Sequence, residues 1–61
     1  MIQLEDIRKG SVVMVRGDFG SGTPKRVTVE EVHEDIKNGR PGIDYDSSWA
    51  YLTQVDRVVQ Y

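Results

Sequence analysis

Short runs of β-branched and aromatic residues, separated by glycine, proline, asparagine and aspartate, dominate the sequence, and no segment shows clear helical periodicity. The runs lie at residues 11–16, 26–36, 43–45, 49–51 and 56–61. A chain of 61 residues buries only about 60% of the surface that its unfolded form exposes. The runs must therefore share one core, and the sequence predicts a single all-β domain over residues 1–61.

The second run changes phase partway along its length. Val27 and Val29 alternate with polar residues, but Val32 and Ile36 fall on the opposite parity. One extra residue near position 30 would return both halves to a common inward face, as a β-bulge does in a strongly bent strand. We therefore predict one continuous bent strand here, in a domain of five strands.

Turn signals separate the predicted strands. The Gly/Ser/Pro-rich residues 17–24 predict a long first loop. An Asn-Gly pair at 38–39 predicts a hairpin, whose loop the Pro-Gly pair at 41–42 extends. A further turn is expected at residues 46–48, and residues 52–55 are too few to form a helix of their own.

Both ends of the chain resemble SH3-like small barrels. Residues 49–58 (WAYLTQVDRV) are similar to the strand, 3₁₀ turn and strand that end such barrels, and residues 4–13 (LEDIRKGSVV) are similar to the entry to the first strand in KOW- and Tudor-type members. The resemblance implies a closed five-stranded barrel with a long first loop and a short 3₁₀ turn before the last strand. The core then comprises Val13, Val15, Val27, Val29, Val32, Ile36, Ile43, Ala50, Leu52, Val55 and Val58.

The chain is also similar to short accessory proteins of tailed bacteriophages, through residues 16–20 (RGDFG) and 39–45 (GRPGIDY). This resemblance implies a host protein as the partner. The chain departs from peptide-binding SH3 domains, because residues 17–24 lack their acidic run and paired aromatic residues. Recognition of proline-rich peptides is therefore not expected.

The composition argues against catalysis and against a cofactor. The chain has no cysteine and one histidine, His33. Glu31 and Asp35 alternate with His33 and can share its strand face, but without a second imidazole or a thiolate the simpler interpretation is an exposed histidine. The glycines of residues 17–22 are not followed by the Lys-Ser/Thr pair of a phosphate-binding loop. We expect no enzyme activity, no metal and no cofactor.

A protein-interaction surface is the leading functional hypothesis. If alternate residues of the C-terminal strands fill the core, Trp49 and Tyr51 point outward, and exposed aromatic residues often anchor protein contacts. An acidic hairpin lies nearby in the sequence and can attract a basic partner surface. The candidate protein-binding residues are Tyr45, Trp49, Tyr51, Glu34, Asp35 and Asp44. The simpler alternatives are that the aromatic residues plug an end of the barrel and that the acids form a solvated face.

A nucleic-acid-binding module is the second hypothesis. Residues 1–26 carry five cationic side chains and three carboxylates, whereas residues 27–61 carry three cationic side chains and seven carboxylates. Arg16, Lys25 and Arg26 bracket the long loop, and Phe19 at its tip can stack on a base. The simpler interpretation is a solvated loop that keeps the domain soluble.

A third hypothesis is a structural subunit that completes its core in an assembly. We expect a monomer or a weak homo-oligomer, with a protein partner first and nucleic acid second. No apolar run approaches the ~20 residues that span a bilayer, and the N-terminal sequence does not resemble a signal peptide. A cytoplasmic location without a membrane partner is therefore expected.

Overall fold

The computed structural model describes residues 2–17 and 20–61, which are mostly β and form two three-stranded antiparallel sheets. In spatial order, the first sheet consists of β2 (Pro24–Thr28), β1 (Val12–Arg16) and β6 (Val55–Gln60). The second consists of β3 (Glu31–Lys37), β4 (Arg40–Tyr45) and β5 (Ser48–Tyr51). Short 3₁₀ turns lie at Leu4–Asp6 and Leu52–Gln54. The described residues contain no helix that is long and apolar enough to cross a membrane.

The prediction of five strands in a closed barrel is wrong for the part of the chain that the structure describes. Six strands are present there, and neither sheet closes on itself. The additional strand arises because the second predicted strand is in fact two, β2 and β3, which belong to different sheets. The all-β class and the short 3₁₀ turn before the last strand are confirmed.

The chain crosses from the first sheet to the second between two adjacent residues. The N–H of Val29 donates to the carbonyl oxygen of Ser11, at 2.8 Å, and thereby continues the pairing beside β1. The N–H of the next residue, Glu30, donates to the carbonyl oxygen of Asp44 in β4, also at 2.8 Å. The change of phase seen in the sequence at Val32 therefore marks this crossing and not a bulge within one strand.

The β3–β4 hairpin is tighter than predicted. Asn38 and Gly39 both have positive φ angles, of 57° and 72°, as a two-residue hairpin turn of type I′ requires. Lys37 and Arg40, which flank the turn, are paired with each other. The Pro-Gly pair at residues 41–42 therefore belongs to β4, which corrects the prediction that it extends the loop.

Gly42 allows the second sheet to pack closely. It is paired with Tyr51 across β4 and β5. A Cβ atom at Gly42 would lie 2.5 Å from the carbonyl oxygen of Ala50 and 2.5 Å from Cγ2 of Ile36. No larger residue fits there without a backbone shift, because one of these neighbours is itself backbone.

One hydrophobic core lies between the two sheets. The first sheet contributes Val13 and Val15, and the second contributes Ile43 and Ala50, all of them buried. In the described residues the buried apolar set is Ile7, Val13, Val15, Val27, Val29, Ile43, Ala50, Leu52 and Val55. The predicted core residues Val32 and Val58 are half-buried and pack against this core, and the predicted Ile36 is half-buried without belonging to it. Ile7, which was not predicted, is part of the core.

Candidate functional site

The outer face of the second sheet carries the exposed aromatic residues. Ile43 is paired with Ala50, and both are fully buried on the core side. Neighbouring residues along a strand point to opposite faces, so Trp49 and Tyr51 lie on the solvent side. Trp49 is 39% exposed, and Tyr51 is half-buried. Their outward placement agrees with the sequence prediction.

Trp49 and Tyr51 form a cluster with three residues of the β3–β4 hairpin. The two rings meet edge to face, with centroids 5.0 Å apart and planes at 89°. Nζ of Lys37 lies 5.6 Å from the centroid of the Trp49 ring, and Cζ of Arg40 lies 4.9 Å from that of Tyr51. Nδ2 of Asn38 donates to the Tyr51 hydroxyl at 3.3 Å. We call these five residues the aromatic patch.

The tight hairpin explains why the patch forms where it does. The two-residue turn at 38–39 makes Lys37 and Arg40 direct neighbours, on the same side of the sheet as the two rings. Cations held over the faces of aromatic rings are attracted by the ring quadrupole. Contacts among its own side chains therefore stabilise the patch.

Tyr45 does not join the aromatic patch. It is paired with Ser48, one step along from the pair that joins Asp44 to Trp49. Tyr45 is half-buried and packs against the hydrophobic core, on the opposite face of the sheet from Trp49. The structure therefore brings two of the three predicted aromatic residues together and separates the third.

The three acidic residues predicted for protein binding lie in different surroundings. Oδ2 of Asp44 lies 2.8 Å from Nε2 of His33 on the neighbouring strand. Oδ1 of Asp35 accepts the N–H of Gly39 at 2.9 Å and so supports the hairpin turn. Glu34 is exposed beside the first 3₁₀ turn. Asp44 borders the aromatic patch as the cross-strand partner of Trp49, and Asp35 borders it through the turn that contains Asn38.

His33 does not lie in a metal-binding cluster. Its ring is hydrogen-bonded to Asp44, whereas Asp35 is turned toward the hairpin and Glu31 lies 3.8 Å from Nζ of Lys9. Within residues 2–17 and 20–61, no three His, Asp or Glu side chains are placed so that they could share a metal ion.

Arg16, the first residue of the predicted nucleic-acid surface, is held by polar contacts at the end of β1. Its Nε lies 3.5 Å from Oδ1 of Asp56, and its Nη1 donates to the carbonyl oxygen of Gly22 at 3.3 Å. The carbonyl oxygen of Arg16 accepts a hydrogen bond from Nε2 of Gln54 at 2.9 Å. Arg16 therefore has a structural role, and part of its charge is neutralised.

Lys25 and Arg26 are both exposed on β2, on opposite faces. Lys25 is paired with Val15, which is buried, so Lys25 lies at the rim of the core side. Arg26 is paired with Met14 and therefore lies on the outer face of the first sheet. The fourth predicted residue, Phe19, lies outside the described residues.

Arg57, which was not predicted, completes a row across the first sheet. It is paired with Met14 from the side opposite to Arg26 and is exposed. We call Arg26, Met14 and Arg57 the basic row. The two arginines are far apart in the sequence, and only the strand order β2-β1-β6 makes them neighbours of the same residue. The outward parity of Met14 was readable from the sequence, but this strand order was not.

Comparisons with protein-family models, with curated proteins and with solved structures find no match to this chain.

Proposed function

We propose that this chain is a non-catalytic protein-interaction module that binds its partner through the aromatic patch. The main support for the proposal is the placement of Trp49, which is 39% exposed on the outer face and packs edge to face on Tyr51. The core does not use this side chain, since the second sheet buries Ile43 and Ala50 on its other face. Tryptophan and tyrosine are enriched among the residues that dominate binding energy.

The patch is arranged before any partner arrives. Tyr51 is held by Asn38 and Arg40, and Trp49 is held between Tyr51 and Lys37. Aromatic side chains have few rotatable bonds, and contacts that already restrict them reduce the entropy lost on binding. A partner therefore meets a surface that needs little reorganisation.

The cations of the patch indicate what the partner carries. Neither Lys37 nor Arg40 forms an ion pair with a carboxylate within residues 2–17 and 20–61. β5, which carries both rings, is an outer strand of the second sheet. An extended segment that runs along this strand can cover Trp49 with an apolar side chain and place a carboxylate against the two cations. We propose such an acidic and apolar segment as the binding partner.

We also propose that the domain is a divergent relative of SH3-like modules. The support for this relation is the order of strand, 3₁₀ turn and strand formed by β5, Leu52–Gln54 and β6.

Peptide selection on the purified chain tests the proposed function. Extended peptides that combine apolar and acidic residues are selected from a display library, and their affinities are measured through the fluorescence of Trp49, the only tryptophan, or through a label on the peptide. Trp49→Ala should weaken binding about thirtyfold, because a hot-spot residue contributes about 2 kcal/mol or more. Amide shifts on binding should cluster on β5 and on the β3–β4 hairpin.

Tyr61→Ala is the matched control. Tyr61 is 57% exposed, and its ring also lies under a guanidinium, with Cζ of Arg8 4.2 Å from the centroid, but it is not part of the aromatic patch. This variant should bind the selected peptides as the parent chain does. The proposal fails if Trp49→Ala binds with unchanged affinity, or if Tyr61→Ala weakens binding as much.

A further inference from the structure

The two sheets differ in the charge that their strands carry. The strands of the first sheet hold four cationic side chains and one carboxylate, namely Arg16, Lys25, Arg26, Arg57 and Asp56. Those of the second hold two cationic side chains and four carboxylates, namely Lys37, Arg40, Glu31, Glu34, Asp35 and Asp44. The first sheet is thus locally basic in a chain whose formal net charge is -2.

The basic row concentrates this charge on the outer face. Arg26 and Arg57 flank Met14 on the two neighbouring strands. Strands lie about 4.8 Å apart, which places the Cα atoms of the two arginines about 10 Å from each other. Both arginines are exposed, and neither forms an ion pair in the described part of the chain. The one carboxylate of these strands, Asp56, is directed at Arg16.

We infer that the basic row binds the phosphodiester backbone of a nucleic acid. A guanidinium presents a planar fork of donors that matches two phosphate oxygens, and it remains charged at any physiological pH. Arg26 and Arg57 lie on either side of Met14 and have no carboxylate partner among the described residues. They can therefore bind successive phosphates of one strand.

The composition of the basic row indicates that it recognises the nucleic-acid backbone without sequence specificity. Met14 offers a flexible apolar contact between the two arginines, and the row contains no aromatic ring on which a base can stack. Contacts to phosphate set affinity and position but do not identify bases. This surface is separate from the aromatic patch, which lies on the other sheet, so the inference does not rest on the proposed protein-binding function.

Fluorescence anisotropy with two labelled probes tests the inference. The probes are a single strand of about 12 nucleotides and a duplex of the same length, which share the phosphodiester backbone and show whether the chain prefers single- or double-stranded nucleic acid. Both are titrated with the full chain at low and moderate salt. Affinity should fall as salt rises, with a slope of about -0.7 per phosphate contacted in a single strand or about -0.9 in a duplex. The double variant Arg26→Gln/Arg57→Gln should bind about tenfold more weakly or worse. Its salt slope should be smaller by about 0.7 for each arginine with the single strand, or by about 0.9 with the duplex.

Lys37→Gln/Arg40→Gln is the matched control, because it removes the same charge from the other sheet. If the position of the charge matters and not its total, this variant should bind nucleic acid with an affinity within about twofold of that of the parent chain. Trp49→Ala should also leave this affinity unchanged, so that failure of the protein-binding proposal and failure of this inference are separate results. All the substituted side chains are exposed or half-buried, and amide spectra verify that each variant is folded.

Three results would overturn the inference. The first is no binding of either probe at low salt. The second is an equal loss of affinity in the two double variants, which would show an effect of net charge alone. The third is tighter binding to phosphatidylserine-containing vesicles than to either probe, abolished by Arg26→Gln/Arg57→Gln, which would identify a membrane surface as the ligand.

Discussion

The first and second sheets each contain three antiparallel strands and cover opposite sides of one core, yet their outer faces differ in chemistry. The inward positions of both sheets are filled by the same kind of residue, such as Val13 in one and Ile43 in the other. The outward positions hold arginines around Met14 in the first sheet and a tryptophan–tyrosine pair with stacked cations in the second. In a domain with a single core, alternation therefore leaves every second strand residue free to form a binding surface.

The two sheets share one core and should therefore unfold together. Ile43→Ala should cost about 2–5 kcal/mol of unfolding free energy, because a large aliphatic side chain is replaced at a fully buried site. A domain of this size has only about 3–9 kcal/mol in total. Val13→Ala, in the other sheet, should also lower the stability of both sheets. Urea unfolding followed by Trp49 fluorescence and by the amide signals of β1 reports the two sheets separately.

Val59→Ala is the control for this prediction, because Val59 is 41% exposed. It should change the unfolding free energy by about 0.5 kcal/mol or less. If either core variant melts one sheet at a lower urea concentration than the other, the sheets do not share one cooperative core.

Gln54 connects the two sheets through two hydrogen bonds of its side chain. It is 8% exposed; its Oε1 accepts the N–H of Tyr51 in β5, and its Nε2 donates to the carbonyl oxygen of Arg16 in β1, both at 2.9 Å. Gln54→Glu keeps the first bond and loses the donor of the second. At neutral pH it should cost about 1–3 kcal/mol, because a buried carboxylate then faces a carbonyl oxygen.

This cost should depend on pH with a definite sign. A protonated glutamate can donate to the Arg16 carbonyl, so the penalty should be small below the ordinary glutamate pKa of about 4.3. Burial and the carbonyl oxygen should raise the pKa of the new carboxyl in the folded state, and the penalty should grow as pH rises toward that raised value. Gln60→Glu makes the same chemical change at an exposed residue of β6 and serves as control. Equal thermal midpoints for the two variants at neutral pH would contradict a bridging role for Gln54.

Local patterns predicted much of this architecture because they depend on neighbouring residues. The Asn-Gly pair at 38–39 predicted the hairpin, and the outward parity of Trp49 and Tyr51 followed from placing Ala50 and Leu52 in the core. The same parity argument places Tyr45 on the core side with Ile43, where the structure has it, so its separation from the patch was readable from the sequence.

Other features depend on which strands become neighbours, and alternation does not carry that information. A change of phase at Val32 is equally consistent with a bulge and with a crossing between sheets. The hydrogen bond from the N–H of Glu30 to the carbonyl oxygen of Asp44 shows the crossing. The basic row is of the same kind, because Arg57 joins Arg26 only when β1 lies between β2 and β6. The role of Lys37 and Arg40 was missed because the loop between them was predicted to be longer than it is.

The one carboxylate on the strands of the first sheet, Asp56, contributes little to stability but lies beside the basic row. Asp56 and Arg16 are both roughly two-fifths exposed at the side chain, with 3.5 Å between Oδ1 and Nε. Asp56→Asn should therefore change the unfolding free energy by only about 0–1 kcal/mol, as is usual for an exposed ion pair. It also leaves Arg16 without its counter-charge, beside the basic row. Anisotropy with the single-stranded probe should show tighter binding, by about two- to threefold, and a slightly steeper dependence on salt.

Asp44→Asn makes the same change of charge on the second sheet and gives this prediction its control. Asp44 is bonded to His33 and lies across from Trp49, so its removal leaves the first sheet as it was. Nucleic-acid affinity should stay unchanged in this variant if the two faces act separately. Should both substitutions tighten binding equally, the net charge of the chain and not the charge of one sheet governs binding. Equal tightening is not expected, because exposed charges more than about 10 Å apart are largely screened at moderate salt.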